Sequence, residues 1–230
     1  NQFDKICLPF SMVINKMWGS SSNDLYAVGN GGNIAHWNGS SWKKIESGTT
    51  LNLFDIHSYN GNDVFISGGS FNDLKGIILK KDSKGLNIIK EGRNISKEEI
   101  FNPYFAGIAK TIWEGRNHKI LFGGNLLYRY NLGIVGFVKS LPGNDFGQNV
   151  HGEHWGFISM IRGNDDNDLI MVGEGNTMRH FNGKTWCQLG LPYNINSEYS
   201  WLSVEMKDNL IVAVGRSTSK SIIIKLKRYN

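Results

Sequence analysis

A basic residue, an aromatic residue and an asparagine recur in that order at four places along the chain: His36-Trp37-Asn38, Arg129-Tyr130-Asn131, His180-Phe181-Asn182 and Arg228-Tyr229-Asn230. Lys80-Lys81-Asp82 is a weaker fifth copy. Upstream of each lies a β-rich segment that ends in glycine, at residues 25–29, 64–68, 120–123, 169–173 and 210–215. A chain built this way folds as repeats of one supersecondary unit, because a single unit cannot bury its apolar faces alone. Five copies in 230 residues give a period of about 46, which with several short strands per unit predicts blades of four antiparallel strands.

Composition agrees with strands and turns: 24 Ile, 28 Gly and 26 Asn stand against 5 Ala, a choice rich in strand and turn formers and poor in helix formers. The fourth copy parses into strands near residues 157–162, 169–172, 177–181 and 185–189. Asn182-Gly183 and, in the first copy, Asn38-Gly39 supply the positive-φ turns between the third and fourth strands. Both faces of a blade pack on neighbours, so strict alternation of apolar and polar residues is not expected.

The opening segment Asn1-Gln2-Phe3-Asp4-Lys5-Ile6-Cys7-Leu8-Pro9 ends in Leu-Pro, as do the strands that finish at Leu141-Pro142 and Leu191-Pro192. It reads as the missing outer strand of the last blade. The expectation is an all-β, five-bladed β-propeller forming a single domain over 1–230, its ring closed by the N-terminal strand. The blades fall at about 11–47, 51–91, 107–142, 156–192, and 199–230 completed by 1–9. Closure of this kind hides two sheet edges that would otherwise invite aggregation. The sequence opens without a signal h-region, so processing or trimming of a longer chain is expected.

Trp18-Gly19, Asn23-Asp24-Leu25-Tyr26-Ala27-Val28-Gly29, Gly32-Asn33-Ile34 and His36-Trp37-Asn38-Gly39-Ser40-Ser41-Trp42 resemble the repeat of bacterial extracellular β-propellers. The fourth blade keeps Asp168, Val172-Gly173, His180-Phe181-Asn182-Gly183 and Trp186, while the other three keep the glycine and parts of the strand pattern. The resemblance implies a secreted, periplasmic or cell-surface address and a binding module, with no shared catalytic residue. Gly39, Ser41 and Trp42, like Gly183, Thr185 and Trp186, also match the second half of the Asp-box of sialidase-like propellers, which is a structural turn and carries no chemistry.

Charge narrows the partners. The net charge of +5 biases encounter with anionic surfaces without specifying nucleic acid, so no nucleic-acid partner is expected. Residues 75–119 carry ten basic and five acidic side chains, whereas residues 145–174 carry six acidic side chains and one Arg, an asymmetry suited to oriented docking on a protein. No run of about 18 apolar residues exists, which excludes a membrane-spanning helix.

Function is expected on the loops that join one blade to the next, since loops on a rigid scaffold carry recognition. Two are long, residues 92–106 and 143–156, and the first includes Ser96-Lys97-Glu98-Glu99, a capping box for one helical turn. The second holds His151-Gly152-Glu153-His154-Trp155. His151, Glu153, His154 and Trp155 are the candidate ligand-binding residues: an aromatic face beside polar donors suits a peptide or a sugar. The histidines lack the i, i+4 helical spacing of a zinc pair, and Asp165-Asp166-Asn167-Asp168 lacks the EF-hand pattern. No phosphate loop or nucleophile elbow occurs, so no metal and no cofactor are expected.

The leading expectation is therefore a non-catalytic recognition propeller for a protein partner at the bacterial envelope or outside the cell. The alternatives are a glycan-binding lectin and a glycoside-active enzyme. The enzyme would use Asp55 and Glu205, which fall on the innermost strands of blades two and five; Asn15, Lys110 and Ser159 are read as their equivalents elsewhere, so the inner ring lacks a third acid. Cys7 and Cys187 are the only cysteines, and a disulfide between them is possible but not favoured.

Overall fold

Short β-branched and aromatic runs separated by Asn, Asp and Gly turns leave the chain little choice but antiparallel hairpins, and in the computed structural model nearly every described element is a strand. The structure describes residues 7–8, 10–92, 107–125, 127–131, 137–138, 156–191 and 199–228. The first sheet is β1 (Ile14–Ser21), β2 (Asp24–Gly29), β3 (Ile34–Trp37) and β4 (Trp42–Ile45). The second is β5 (Asn52–His57), β6 (Val64–Ser70), β7 (Lys75–Asp82) and β8 (Gly85–Glu91). The third runs β9 (Ala109–Glu114), β10 (Lys119–Gly124), β11 (Leu127–Asn131) and β12 (Phe137–Val138). The fourth is β13 (Ile158–Asp165), β14 (Asp168–Gly173), β15 (Met178–Phe181) and β16 (Trp186–Gln188), and the fifth is β17 (Ser200–Lys207), β18 (Leu210–Arg216) and β19 (Ser221–Lys227). In each sheet the strands pair in chain order. The protein is a five-bladed β-propeller. Residues 1–6 and 9, which the sequence assigns to the outer strand of the fifth blade, lie outside the described residues, where that sheet has three strands.

Four hydrophobic clusters hold successive blades together. Val28 and Ile34 of blade one meet Leu53 and Ile66 of blade two, and Phe65 and Ile78 meet Ile112 and Phe122 of blade three. Trp113 and Leu121 meet Ile161 and Met171 of blade four; Met160 and Val172 meet Trp201 and Ala213 of blade five. Val13, Ile14 and Met17 of the first blade and Leu202, Leu210, Val214 and Ile223 of the fifth are exposed, as are Tyr59, Phe71, Leu74 and Ile88 of the second.

The Asn-Gly turns form as the sequence predicts, with one refinement. Gly39 and Gly183 both have φ of 90°, but the loops span four residues, 38–41 and 182–185, closing on the pairs Trp37↔Trp42 and Phe181↔Trp186. The Asn38 carboxamide oxygen accepts the Ser40 and Ser41 amides at 3.1 and 3.0 Å, and Asn182 does the same for Lys184 and Thr185. Cys7 and Cys187 are both free and exposed.

All five innermost strands share one irregularity. The ladder with the second strand skips a residue between Ile14 and Lys16, Leu53 and Asp55, Ala109 and Thr111, Ile158 and Met160, and Trp201 and Ser203. The residues out of register are Asn15, Phe54, Lys110, Ser159 and Leu202. This corrects the equivalence drawn from sequence: Asn15, Lys110 and Ser159 correspond to Phe54, not to Asp55. A bulge adds one residue and re-aims the side chains that follow it, so counting by twos from the glycine ends one place short.

Candidate functional site

The bulges lie near the end of the ring where one blade leads into the next. There the out-of-register Phe54 stacks obliquely on Phe71, from the loop after β6, with centroids 5.6 Å apart. Phe71 meets Phe157, which precedes β13, at 5.9 Å. The aromatic row thus runs from blade two to blade four. Lys110, the bulge residue of blade three, places its ammonium 4.6 Å above the Phe54 ring. Burial, partly opposed by the charge of Asp55, lowers the pKa of that lysine. Phe71 remains 55% exposed, an aromatic surface packed on the ring that carries the cation.

Beneath this face is a buried polar network. Asp55 accepts hydrogen bonds from both terminal nitrogens of Arg162, at 2.6 and 3.0 Å. It also accepts from the Thr111 hydroxyl at 2.8 Å and the Ile112 amide at 3.0 Å. Thr111 in turn accepts the Ile161 amide at 3.1 Å, so blades two, three and four converge on one carboxylate. Burial alone would raise the pKa of Asp55, but the charge and hydrogen bonds of Arg162 and the Ile112 amide outweigh it and hold the pKa below its ordinary value. Lys16 of blade one is lowered by burial and by Arg162, against the pull of Asp55 and Glu205.

Asp55 and Glu205, the candidate catalytic pair, sit at non-equivalent positions in very different surroundings. Asp55 is buried and fully hydrogen-bonded, whereas the Glu205 side chain is 69% exposed, and its carboxylate lies 3.9 Å from Arg162. The guanidinium between them is the residue that sequence reasoning missed. Its signal was a lone basic residue in the apolar run Ile158-Ser159-Met160-Ile161. A carboxylate held ionised by a buried arginine is a structural anchor, poorly placed to pass protons to a substrate.

His57, next along β5, is neutral: burial and the charge of Arg162 outweigh Asp55 and push its pKa down to about 3. Its Nδ1 accepts the Glu114 amide at 3.1 Å. Glu114 itself is buried, accepts the Tyr59 amide at 2.8 Å and sits 3.1 Å from His118 Nδ1. Burial raises its pKa despite those two partners. Asp63, Glu114 and His118 each bring a ligand atom within 4.8 Å of the others, the one such group among the described residues. The Lys80 ammonium already neutralises Asp63 at 2.9 Å, so the positive charge the cluster calls for is supplied by the protein.

The acidic turn of blade four is likewise committed. Asp165 pairs with Arg116 at 3.1 Å, Asp166 accepts the Asn117 carboxamide at 2.8 Å, and Asp168 is shared by His180 and Arg228. The sequence-predicted ligand residues His151, Glu153, His154 and Trp155 lie outside the described residues, as do Ser96 to Glu99. In the sequence Trp155 directly precedes Gly156 and Phe157.

No family model matches the chain, and no curated protein matches it. Solved structures do. One, described as YCF48 bound to D1 peptide, is 13% identical, with a TM-score of 0.52 over 96% of this chain and 80% of that one. A protein from Lactobacillus plantarum is 13% identical, with a TM-score of 0.58 over 94% of this chain and 68% of that one. At this identity the likeness concerns the fold. Among the described residues no helix is long and apolar enough to cross a membrane.

Proposed function

We propose that the chain is a non-catalytic recognition propeller, of the bacterial extracellular repeat type, that binds a segment of a protein partner at the cell envelope or outside the cell. The observation that carries this reading is the row Phe54–Phe71–Phe157 with Lys110 beside it. It offers an apolar track and a cation on one face of a rigid ring, which suits a peptide with apolar side chains and an acidic residue. The peptide complex of a propeller of similar fold supports the same use of the architecture, and the repeat resemblance supports the address. The engaged state of Asp55 favours recognition over glycoside chemistry.

The test is capture from a bacterial envelope fraction by the immobilised chain, followed by binding of overlapping peptides from the captured protein. Phe71→Ala and Lys110→Ala should each weaken the peptide complex by about tenfold or more, with melting temperature unchanged for the exposed Phe71. Peptide binding indifferent to both substitutions would overturn the assignment of the face. A glycan reading rests on the same exposed ring; saturable binding on a glycan array, lost with Phe71→Ala and without any peptide binding, would replace the protein partner by a sugar.

A further inference from the structure

At the opposite end of the ring, one ion pair is repeated from blade to blade. An acid stands at the start of the second strand, and a basic residue of the third strand, opposite the second residue after that acid, closes on it. His36 reaches Asp24 at 2.7 Å, Lys80 reaches Asp63 at 2.9 Å and His180 reaches Asp168 at 2.7 Å. Blades three and five break the rule: in blade five Leu210 stands at the acid's position and Lys225, on the opposite strand, at the basic one. In blade three Arg129 occupies the basic position, opposite Leu121, but the acid is replaced by Lys119. Arg129 makes no hydrogen bond or ion pair with its side chain among the described residues.

The orphaned guanidinium borders a cleft of about 240 Å³ between blades three and four, shared with Lys119 and walled by Trp113, Leu121 and Phe181. The nearest acid in the lining is Asp166, which is 3.5 Å from Lys119 and already bonded to Asn117; it leaves Arg129 unanswered. A half-buried cation above an apolar floor is a receptor for an anion that carries an apolar arm. We infer that this cleft binds a carboxylate with a small aliphatic or aromatic substituent, the carboxylate on Arg129 with Lys119 beside it and the substituent against Trp113 and Phe181. The same chemistry is offered by a free organic acid and by the C-terminal residue of a peptide.

The experiment titrates the protein with N-acetyl-leucine, with its amide, and with a pentapeptide ending in leucine as the free acid or the amide. Binding is followed by calorimetry and by the indole resonance of Trp113. Binding of the free acids, and not the amides, is expected. If N-acetyl-leucine binds and the pentapeptide is excluded, the ligand is a small acid; if the free-acid pentapeptide binds at least as tightly, it is a chain end. Arg129→Gln should weaken either by about 10- to 100-fold, the loss of a charge-assisted hydrogen bond. Lys119→Asp restores the acid of blades one, two and four, so it should abolish binding while leaving the melting temperature unchanged or higher. The inference is overturned if no free acid binds up to about 10 mM, if amides bind equally, or if Lys119→Asp binds like wild type.

Discussion

Arg162 and Asp55 are 107 residues apart in sequence and meet through paired hydrogen bonds of 2.6 and 3.0 Å in the interior of the ring. The bond skips a blade: it runs from the fourth to the second, and Thr111 of the third closes the triangle. Removing one partner of such a pair strands the other charge in the interior. Arg162→Met should therefore destabilise by about 3–5 kcal/mol, and the double variant with Asp55→Leu should recover part of the loss. Denaturant midpoints of the two single variants and the double variant check this.

Acid should weaken the same joint. The folded pKa of Asp55 lies below the ordinary value of 3.8, so its contribution is present above that value and is lost as pH falls through the lower folded pKa. Melting temperature measured from pH 5 downward should drop less steeply for Asp55→Asn than for wild type, from a lower start. Parallel profiles would show that the carboxylate is not the titrating group.

His57 governs a higher window. Its imidazole takes up a proton near 6.5 when unfolded and only near about 3 when folded. Between those values the unfolded chain binds more protons, so stability declines as pH falls from 6.5 toward 3. His57→Asn, which keeps an acceptor for the Glu114 amide, should flatten that part of the profile.

Two glycines of blade four, one in the hairpin turn and one after the outer strand, are separable by what a side chain would meet. Gly183 combines a φ of 90° with an added Cβ only 2.7 Å from the Asn167 Cβ, whereas at Gly190 nothing lies within 4 Å and φ is ordinary. Gly183→Val should cost more than about 1 kcal/mol. Gly190→Ala should be neutral or slightly stabilising, by up to about 1 kcal/mol. Thermal melts of the two decide it.

Asp168 joins two blades, accepting from Arg228 at 2.6 and 2.8 Å and lying 2.7 Å from His180. Asp168→Asn should lower stability by about 1–3 kcal/mol, and the loss should shrink in Arg228→Gln. A double-mutant cycle showing no coupling would detach Arg228 from this role.

The repeat was legible because its marks are local: the glycine ending the second strand, the basic-aromatic-Asn triplet, the Asn-Gly turn. The inner ring was not, because one skipped residue per strand moves Asp55 out of step with Glu205, and no period of two or three and a half contains that step. Phe71 and Phe157 were hidden for another reason. Phe71 lies in a turn and Phe157 just before a strand, 86 residues apart, and only the curvature of the ring brings the two together. The Asp–His pairs of blades one and four were readable from a shared spacing, 24 to 36 and 168 to 180; the replacement of the acid by Lys119 was not, because the hairpin of blade three is shorter and only the register Leu121↔Arg129 aligns it.

The Asp55–Thr111–Arg162 triangle adds a fully buried polar joint to the middle three blades, whereas the polar contacts that reach the first and fifth, such as Asn15 to the Leu53 carbonyl and Arg228 to Asp168, are only part-buried. Such a repeat ring has a stiff centre and softer flanks. Amide protons of β10 and β14 then exchange by global opening alone, whereas those of β2 and β18 find cheaper routes through partial detachment of a terminal blade. Strain applied at either flank is absorbed there, and the aromatic row from Phe54 to Phe157, which spans the stiff centre, keeps its spacing while the ends breathe.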